Sequence, residues 1–197
     1  MKLLGLSEAE WADRDREIRA ENERRAAEAA SVRRREQVAA MGIPKRVLAV
    51  ATGKLQDTDA VQSVHADTDT NITVLSGNPG VGKSIAAAAW LLRREAGIFA
   101  TAASLNRIER AAFVKLLKTP ALVLDDLGME YLDPKGYVLS LIDELIDHRY
   151  SANLPLVVTT NLDDKVFRAR YGERAIDRIR EAGRFAVVGG RSMRGRT

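Results

Sequence analysis

The sequence predicts an α/β protein in which helices cover both faces of a parallel five-stranded sheet, preceded by a long charged helix. From residue 71 onward, short apolar runs alternate with helical stretches, a pattern typical of buried parallel strands. Residues 7–40 contain no proline or glycine and are rich in Ala, Arg and Glu. The 197 residues have room for one α/β domain and an appendage. We therefore predict a partner-binding helical extension over 1–40 and a domain over 41–197.

The N-terminal helix begins with the capping-box sequence of residues 7–10, in which Ser7 and Glu10 cap each other's backbone amides. Its apolar positions are too sparse for a core helix: Trp11, Ile18, Val32 and Val38. Two interpretations stay open, a helix that pairs with a partner through a narrow seam and a solvated charged helix without a binding role. Gly42 ends the helix.

The remaining elements follow from apolar periodicity and from turn residues. We predict strands over 71–76, 98–102, 121–124, 156–160 and 185–188. We predict helices over 45–51, 85–96, 104–118, 133–150 and 163–182, the last one interrupted at Gly172. The stretch 56–69 is polar and has no predicted element.

Composition excludes several classes of site. The chain has no cysteine, which excludes disulfides, a thiol catalyst and cysteine-ligated zinc. His65 and His148 are far apart and give no metal-ligand pattern. No apolar run reaches the ~18 residues that a membrane span needs, and the N-terminus lacks a signal-peptide pattern. We expect a soluble cytoplasmic protein without a membrane partner.

The net charge of +4 is unevenly distributed along the chain. Residues 165–197 hold ten basic and three acidic residues, whereas residues 1–40 are balanced. A local basic surface is what a nucleic-acid or nucleotide-phosphate partner requires.

One motif directly follows the first predicted strand and opens a helix. Eight consecutive residues match G-x-x-x-x-G-K-[ST]: Gly77, Asn78, Pro79, Gly80, Val81, Gly82, Lys83 and Ser84. In this context the glycines let backbone amides surround phosphates, and Lys83 neutralises the phosphate oxygens. The hydroxyl of Ser84 is a Mg²⁺ ligand, and Ile85 continues the site into the helix. The motif therefore predicts ATP and Mg²⁺ as the bound groups.

Two later strands end in polar residues that complete such a site. The strand 122–124 leads into Asp125, which we expect to hold Mg²⁺, and Asp126, which would orient or deprotonate the attacking water. Asn161 follows the strand 156–160 and would position water near the γ-phosphate, unless it is an ordinary turn residue. The extra strands indicate the branch of P-loop ATPases that has an added catalytic strand.

At these residues the sequence resembles the DnaC-type helicase loaders and their IstB-type relatives within the AAA+ ATPases. The segment 171–180, which contains the sequences Gly-Glu-Arg and Asp-Arg, is the most specific part of the resemblance. The other matching segments are 42–46, 77–84, 122–128 and 158–162. The resemblance covers roughly residues 42–197 and implies a P-loop AAA+ (ASCE) domain.

The resemblance also assigns arginines near the end of the chain. Arg178 resembles the arginine finger that reaches the γ-phosphate of a neighbouring subunit, and Arg174 is a nearby candidate. Arg194 resembles the sensor arginine. The alternative for Arg174 and Arg178 is a solvated helix face paired with Asp177 and Glu181.

Three features depart from the family pattern. The family's N-terminal domain, sometimes cysteine-rich with zinc, is replaced by the charged helix. The segment 104–120 is shorter than the family's helical insertion, where single-stranded DNA contacts would lie. Nine residues follow Val188, so we expect a minimal C-terminal lid or none.

The resemblance implies an ATPase that assembles head-to-tail, binds single-stranded DNA and places a replicative helicase of the DnaB type on it. The helix 1–40 would face the helicase, and the basic end would face DNA or a neighbour's ATP. Alternatives are an IstB-like ATPase accessory to a transposase, an ATP-gated adaptor with little hydrolysis and a small-molecule P-loop kinase.

Overall fold

The computed structural model describes residues 8–53, 55–65, 71–190 and 192. The chain divides into two compact units, one that ends at Ala39 and one that begins at Ala40. The described part of the first unit is helix α1 (Glu8–Ala40), whose last residue already belongs to the second unit. Its side chains from 11 to 37 are exposed, and ion pairs one turn apart, such as Arg19 to Asp15 at 2.7 Å, support the helix.

The second unit contains the alternating strands and helices. Its elements are α2 (Lys45–Ala51), α3 (Asp59–His65), β1 (Ile72–Ser76), α4 (Lys83–Arg93), β2 (Ile98–Thr101), a 3₁₀ helix (Ala102–Arg107), α5 (Arg110–Lys118), β3 (Leu122–Leu127), α6 (Tyr137–Ser151), β4 (Leu156–Thr160), α7 (Asp164–Tyr171), α8 (Glu173–Ala182) and β5 (Gly183–Val187). Within the described ranges, no helix is both long enough and apolar enough to span a bilayer.

In the part of the chain that the structure describes, five strands form one parallel sheet in the order β2-β3-β4-β1-β5. Strand β4 lies between β1 and β3, with Val158 in register with both Val74 and Leu124. The carboxyl ends of β1, β3 and β4 therefore meet at one edge of the sheet. The predicted five-stranded parallel sheet with covering helices and a long N-terminal helix is confirmed.

Alternate residues of the strands supply two hydrophobic clusters, one on each face of the sheet. One cluster joins Val74 and Leu124 to α5, α6 and α8, and the other joins Leu75 and Val123 to α3 and α4. Because both faces are buried, the strands are apolar without alternation, which is why composition alone identifies them.

Several elements differ from the predictions, and strand β3 extends through both aspartates to Leu127. Helix α3 lies within the stretch 56–69 because Ala60, Val61 and Val64 bury one short face against the second cluster. The predicted helix 104–118 is divided into the 3₁₀ helix and α5. The predicted helix 133–150 begins only at Tyr137, because the Asp133 carboxylate instead accepts from the amides of the following turn.

A fully buried arginine connects the ends of several elements. The Arg149 guanidinium donates to the carbonyl oxygens of Leu116 and Thr119 at the end of α5, at 3.1 and 3.0 Å. It also donates to the carbonyl of Pro155, just before β4. The last carbonyls of a helix have no intrahelical partner, so Arg149 supplies the donors that α5 lacks.

Candidate nucleotide-binding site

The backbone of the loop between β1 and α4 has the shape that a phosphate cradle requires. A Cβ at Gly77 would lie 2.2 Å from the carbonyl oxygen of Val188, so only glycine allows this approach of β1 and the end of β5. Gly82 has φ 92° and precedes Lys83, the first residue of α4. This N-terminus has no side-chain cap, and the amides at the N-terminus of a helix are donors that suit an anion.

Lys83 joins this loop to the end of β4. Its side chain is buried, and its Nζ donates to the carbonyl oxygens of Gly77 at 2.6 Å and Asn78 at 2.9 Å. The same Nζ donates to Oδ1 of Asn161 at 2.9 Å. Two residues predicted from separate motifs therefore touch, because β4 lies next to β1 in the sheet.

Asp125 is buried at the end of β3 and contacts α4 across the sheet edge. The hydroxyl of Ser84 donates a hydrogen bond to its carboxylate, and Thr159 Oγ1 donates to Oδ1 at 2.6 Å. Burial raises the pKa of the Asp125 carboxyl, and these two hydrogen bonds and the nearby Lys83 charge oppose that rise. A paired hydroxyl and carboxylate are oxygen ligands that suit Mg²⁺.

Asp126 is exposed and has φ 55°, a left-handed conformation that is unusual for a residue other than glycine. Its amide donates to Thr159 Oγ1 at 2.9 Å, and its side chain lines the pocket beside the P-loop. The side chains of consecutive strand residues normally point to opposite faces of the sheet. The left-handed conformation of Asp126 changes this alternation and brings both carboxylates to the same edge.

These elements surround a pocket of about 520 Å³. Its lining residues are Arg46, Val47, Pro79, Gly80, Gly82, Lys83, Ser84, Ile85, Asp126 and Asn161. Val81, also part of the motif, is buried in the hydrophobic cluster under the loop instead. The pocket therefore brings together most of the predicted site, and its volume suits a ligand of nucleotide size.

Three residues at this site had no role in the predictions made from sequence. Arg46 and Val47 reach the pocket from α2, and Thr159 bonds both aspartates. The segment 42–46 resembles the family pattern, which was the available signal for Arg46. Thr159 lies in the matching segment 158–162, but a threonine in a strand is ordinary, and nothing in the pattern pointed to its contacts with the aspartates.

The predicted arginines of α8 contact α6 and are absent from the pocket lining. Arg178 is 18% exposed, pairs with Asp147 and stacks over the Tyr150 ring at 5.6 Å. Arg174 is 60% exposed and lies 3.2 Å from Asp147. These ion pairs connect α8 to α6, whereas the alternative predicted from the sequence paired the arginines with Asp177 and Glu181 on α8 itself. Arg194 lies outside the described residues.

No family model matches the chain. A curated relative is the replicative helicase loader DnaC of Buchnera aphidicola subsp. Acyrthosiphon pisum (strain APS). It is 28% identical over 123 residues, which make up 54% of this chain and 49% of the relative. The match thus spans about half of the length of that relative.

Several solved structures share the fold. A crystal structure of the DnaC helicase loader has a TM-score of 0.59 and 24% identity, over 74% of this chain and 100% of that chain. DnaI has a TM-score of 0.61 and 22% identity, over 80% of this chain and 99% of that chain. The replication initiator DnaA, bound to AMPPCP and single-stranded DNA, has a TM-score of 0.55 and 13% identity, over 76% of this chain and 51% of that chain.

At these identities the solved structures establish the fold alone, while the curated relative gives the sequence likeness. Together they show that this chain has the fold of the DnaC, DnaI and DnaA structures and that its sequence resembles a DnaC-type helicase loader.

Proposed function

We propose that this chain is an ATP-dependent helicase loader of the DnaC type. In this proposal it binds ATP with Mg²⁺ and single-stranded DNA, and it delivers a replicative helicase of the DnaB type to DNA when replication begins. The observation that carries the proposal is the convergence of Lys83, Ser84, Asp125, Asp126 and Asn161 at one edge of the sheet beside the pocket. The likeness to a helicase loader supports the choice of partner.

Binding of the triphosphate uses groups that are already in position. The amides at the start of α4 would face the β- and γ-phosphates, and the helix dipole adds positive charge there. The Lys83 ammonium would exchange its carbonyl acceptors, Gly77 and Asn78, for phosphate oxygens. Val47 and Ile85 provide apolar surface in the same pocket, which suits the base and ribose.

The oxygens of Ser84 and Asp125 would hold Mg²⁺. When bound, the ion would neutralise charge on the β- and γ-phosphates. The residues present fit this ion because the Ser84 hydroxyl already bonds the Asp125 carboxylate, and because Thr159 bonds the same carboxylate and restrains it.

Hydrolysis requires a group that orients the attacking water. Asp126 is exposed in the pocket, and its carboxylate would accept the proton of that water. The amide of Asn161 is held by Lys83 through its oxygen, which leaves its NH₂ group to position the water.

Arg178 is the candidate for a residue that completes the site of a neighbouring subunit, with Arg174 beside it. A guanidinium supplied in trans stabilises charge in the transition state. Arg178 is paired with Asp147 in the single chain, so it would have to leave this carboxylate to serve a neighbour. Head-to-tail assembly would then control turnover, and Arg194 would contact the nucleotide as a sensor.

The remaining contacts involve macromolecules. We assign the helicase to the extension 1–40, where Trp11 is 48% exposed on an otherwise charged helix and could anchor a partner. We assign single-stranded DNA to the basic residues 165–197, because clustered Lys and Arg attract phosphates.

The proposal is tested by measuring ATP turnover while single-stranded DNA is titrated at several protein concentrations. A loader that assembles should turn over faster as both DNA and protein increase. Lys83→Ala should abolish nucleotide binding, whereas the matched variant Lys115→Ala removes an exposed lysine of α5 and should leave it unchanged. Nucleotide binding that survives in Lys83→Ala would refute the assignment of the site.

Tight ATP binding with negligible turnover under all of these conditions would instead favour the ATP-gated adaptor. Binding assays against a DnaB-type helicase and a transposase distinguish the loader from an IstB-like accessory protein. Binding of the transposase alone would refute the loader.

A further inference from the structure

The pairing of β3 with β4 is interrupted at the two aspartates. Leu124 pairs with Val158, and the next regular pair joins Leu127 to Thr160. Between these pairs, Asp125 and Asp126 on β3 therefore lie opposite the single residue Thr159 on β4. Two residues opposite one define a β-bulge, a feature that redirects side chains and is frequent beside active sites.

Thr159 bonds both residues of this bulge with one hydroxyl. Its Oγ1 donates to Oδ1 of Asp125 at 2.6 Å and accepts the amide N–H of Asp126 at 2.9 Å. A hydroxyl has one proton to donate and lone pairs to accept, so a single oxygen meets both needs. Thr159 is completely buried, so its hydroxyl is shielded from bulk water.

We propose that Thr159 is a positioning residue of the nucleotide site, which holds Asp125 toward Ser84 and holds the backbone of Asp126 in its left-handed turn. The proposal rests on the proposed function, since it gives these two carboxylates their roles toward Mg²⁺ and water. Thr159 is not among the residues that line the pocket, and it acts only through the two aspartates.

Two consequences follow from this geometry. The bond to Oδ1 restrains the rotation of the Asp125 carboxylate, which the Ser84 hydroxyl also contacts. The β3–β4 ladder is interrupted at Asp126, and the Thr159 hydroxyl there accepts the hydrogen bond of the Asp126 amide. Groups that orient metal ligands affect metal affinity about 10–100-fold when they are removed.

The experiment compares four variants of the full chain with the unsubstituted protein. Thr159→Val keeps the shape of the side chain and removes the hydroxyl. Thr159→Ser and Thr159→Ala differ from each other by one oxygen atom, so this pair isolates the hydroxyl even if valine prevents folding. Thr160→Val is the matched control, because Thr160 is equally buried on the same strand but bonds the carbonyl of Leu127 and the amide of Leu162.

The first readout is the binding of a fluorescent ATP analogue, measured with EDTA and then over a Mg²⁺ titration. Affinity without the ion should be similar in all five proteins, because Lys83 and the loop amides are intact. The Mg²⁺ concentration at half-maximal tightening should rise about 10–100-fold in Thr159→Val and Thr159→Ala. Thr159→Ser and Thr160→Val should stay close to the unsubstituted protein.

The second readout is hydrogen exchange of the Asp126 amide in protein without nucleotide. This amide should exchange faster in Thr159→Ala than in Thr159→Ser, because the serine hydroxyl still accepts its hydrogen bond. Equal exchange in the two variants would show that the hydroxyl does not hold the Asp126 amide. That result would overturn the inference even if the protein bound no nucleotide.

The outcomes separate this inference from the proposed function. Unchanged Mg²⁺ dependence in the variants without the hydroxyl would overturn the role of Thr159 while leaving ATP binding intact. An equal change in Thr160→Val would also overturn it, because the effect would then come from strand packing. Failure of the unsubstituted protein to bind nucleotide would overturn the proposed function and this inference together.

Discussion

The Nζ of Lys83 and Oδ1 of Asn161 lie 2.9 Å apart, although 78 positions separate these residues in the chain. The contact joins the first turn of α4 to the end of β4 and connects the phosphate-binding loop with the residue proposed to position water. Both residues also line the pocket, so a phosphate that enters it would meet both of them.

The first prediction concerns Asn161→Ala. Turnover should fall about 100-fold, because the amide that positions water near the developing charge is lost. Nucleotide affinity should change little, because Lys83 keeps the carbonyls of Gly77 and Asn78 as acceptors before phosphate binds. Steady-state turnover and equilibrium binding of ATP, measured on the same preparation, check both parts. Unchanged turnover would show that Asn161 only terminates β4.

The second prediction concerns the ion pair between Arg178 and Asp147. Arg178→Ala should lower turnover about 10³–10⁵-fold while ATP still binds, because the guanidinium proposed to act across the subunit boundary is removed. Asp147→Asn is the matched control, since it breaks the same ion pair but keeps the arginine, and its turnover should stay near that of the unsubstituted protein.

Mixing two inactive proteins tests whether Arg178 acts in trans. Arg178→Ala retains an intact Asp126, and Asp126→Asn retains an intact Arg178, so mixed assemblies should contain some complete sites. Partial recovery of turnover is expected on mixing. Absence of recovery at every ratio would argue that the site is completed within one chain.

The third prediction concerns Arg149, whose donors satisfy carbonyl groups at the end of α5 and before β4. Arg149→Met should reduce the free energy of unfolding by about 3 kcal/mol, because buried carbonyl groups lose their partners. Burial lowers the pKa of Arg149 to about 10, so the side chain remains charged at neutral pH. Urea unfolding at pH 7 measures the loss, and an unchanged midpoint would refute the role.

The fourth prediction concerns removal of residues 1–40. The second unit contains both hydrophobic clusters, so the shortened protein should stay folded and should still bind ATP. Binding of the helicase should be lost. Circular dichroism and ATP binding check the fold, and a pull-down with purified helicase checks the partner. Full helicase binding by the shortened protein would move that surface into the second unit.

The fifth prediction concerns single-stranded DNA and the basic residues 165–197. Affinity should fall steeply as salt is raised, because each phosphate neutralised by Lys or Arg releases counterions. Fluorescence anisotropy with a labelled oligonucleotide over a salt series measures the slope. Affinity that does not respond to salt would contradict the electrostatic interpretation of this end of the chain.

The local features of the site could be predicted from the sequence because they depend on neighbouring residues. The glycines of the P-loop, Lys83 and Ser84 lie within eight consecutive positions, and their geometry follows from a strand that leads into a helix. The strands follow likewise from short continuous apolar runs and most helices from apolar periodicity, neither of which needs knowledge of the neighbouring elements. Helix α3 was not predicted because its buried face is only two turns long.

The relations between distant segments could be decided only by the tertiary structure. Thr159 meets Asp125 and Asp126 because β4 lies beside β3 with a bulge at that point, and no local pattern encodes this register. The contacts of Glu130 also depend on the tertiary structure. Its buried carboxylate accepts hydrogen bonds from the Gly128 amide and from Arg170 of α7, which lies forty positions away.

The sequence by itself thus determined the fold class, the phosphate loop, and the aspartates and the asparagine at the strand ends, because short-range patterns of polarity and glycine specify them. The tertiary structure decided which of those ends touch, and it placed Thr159 between the carboxylates and Arg178 against Asp147. The physical reason is that hydrogen bonds and ion pairs act over about 3 Å. Strand order and helix packing, rather than position along the chain, bring such groups within that distance.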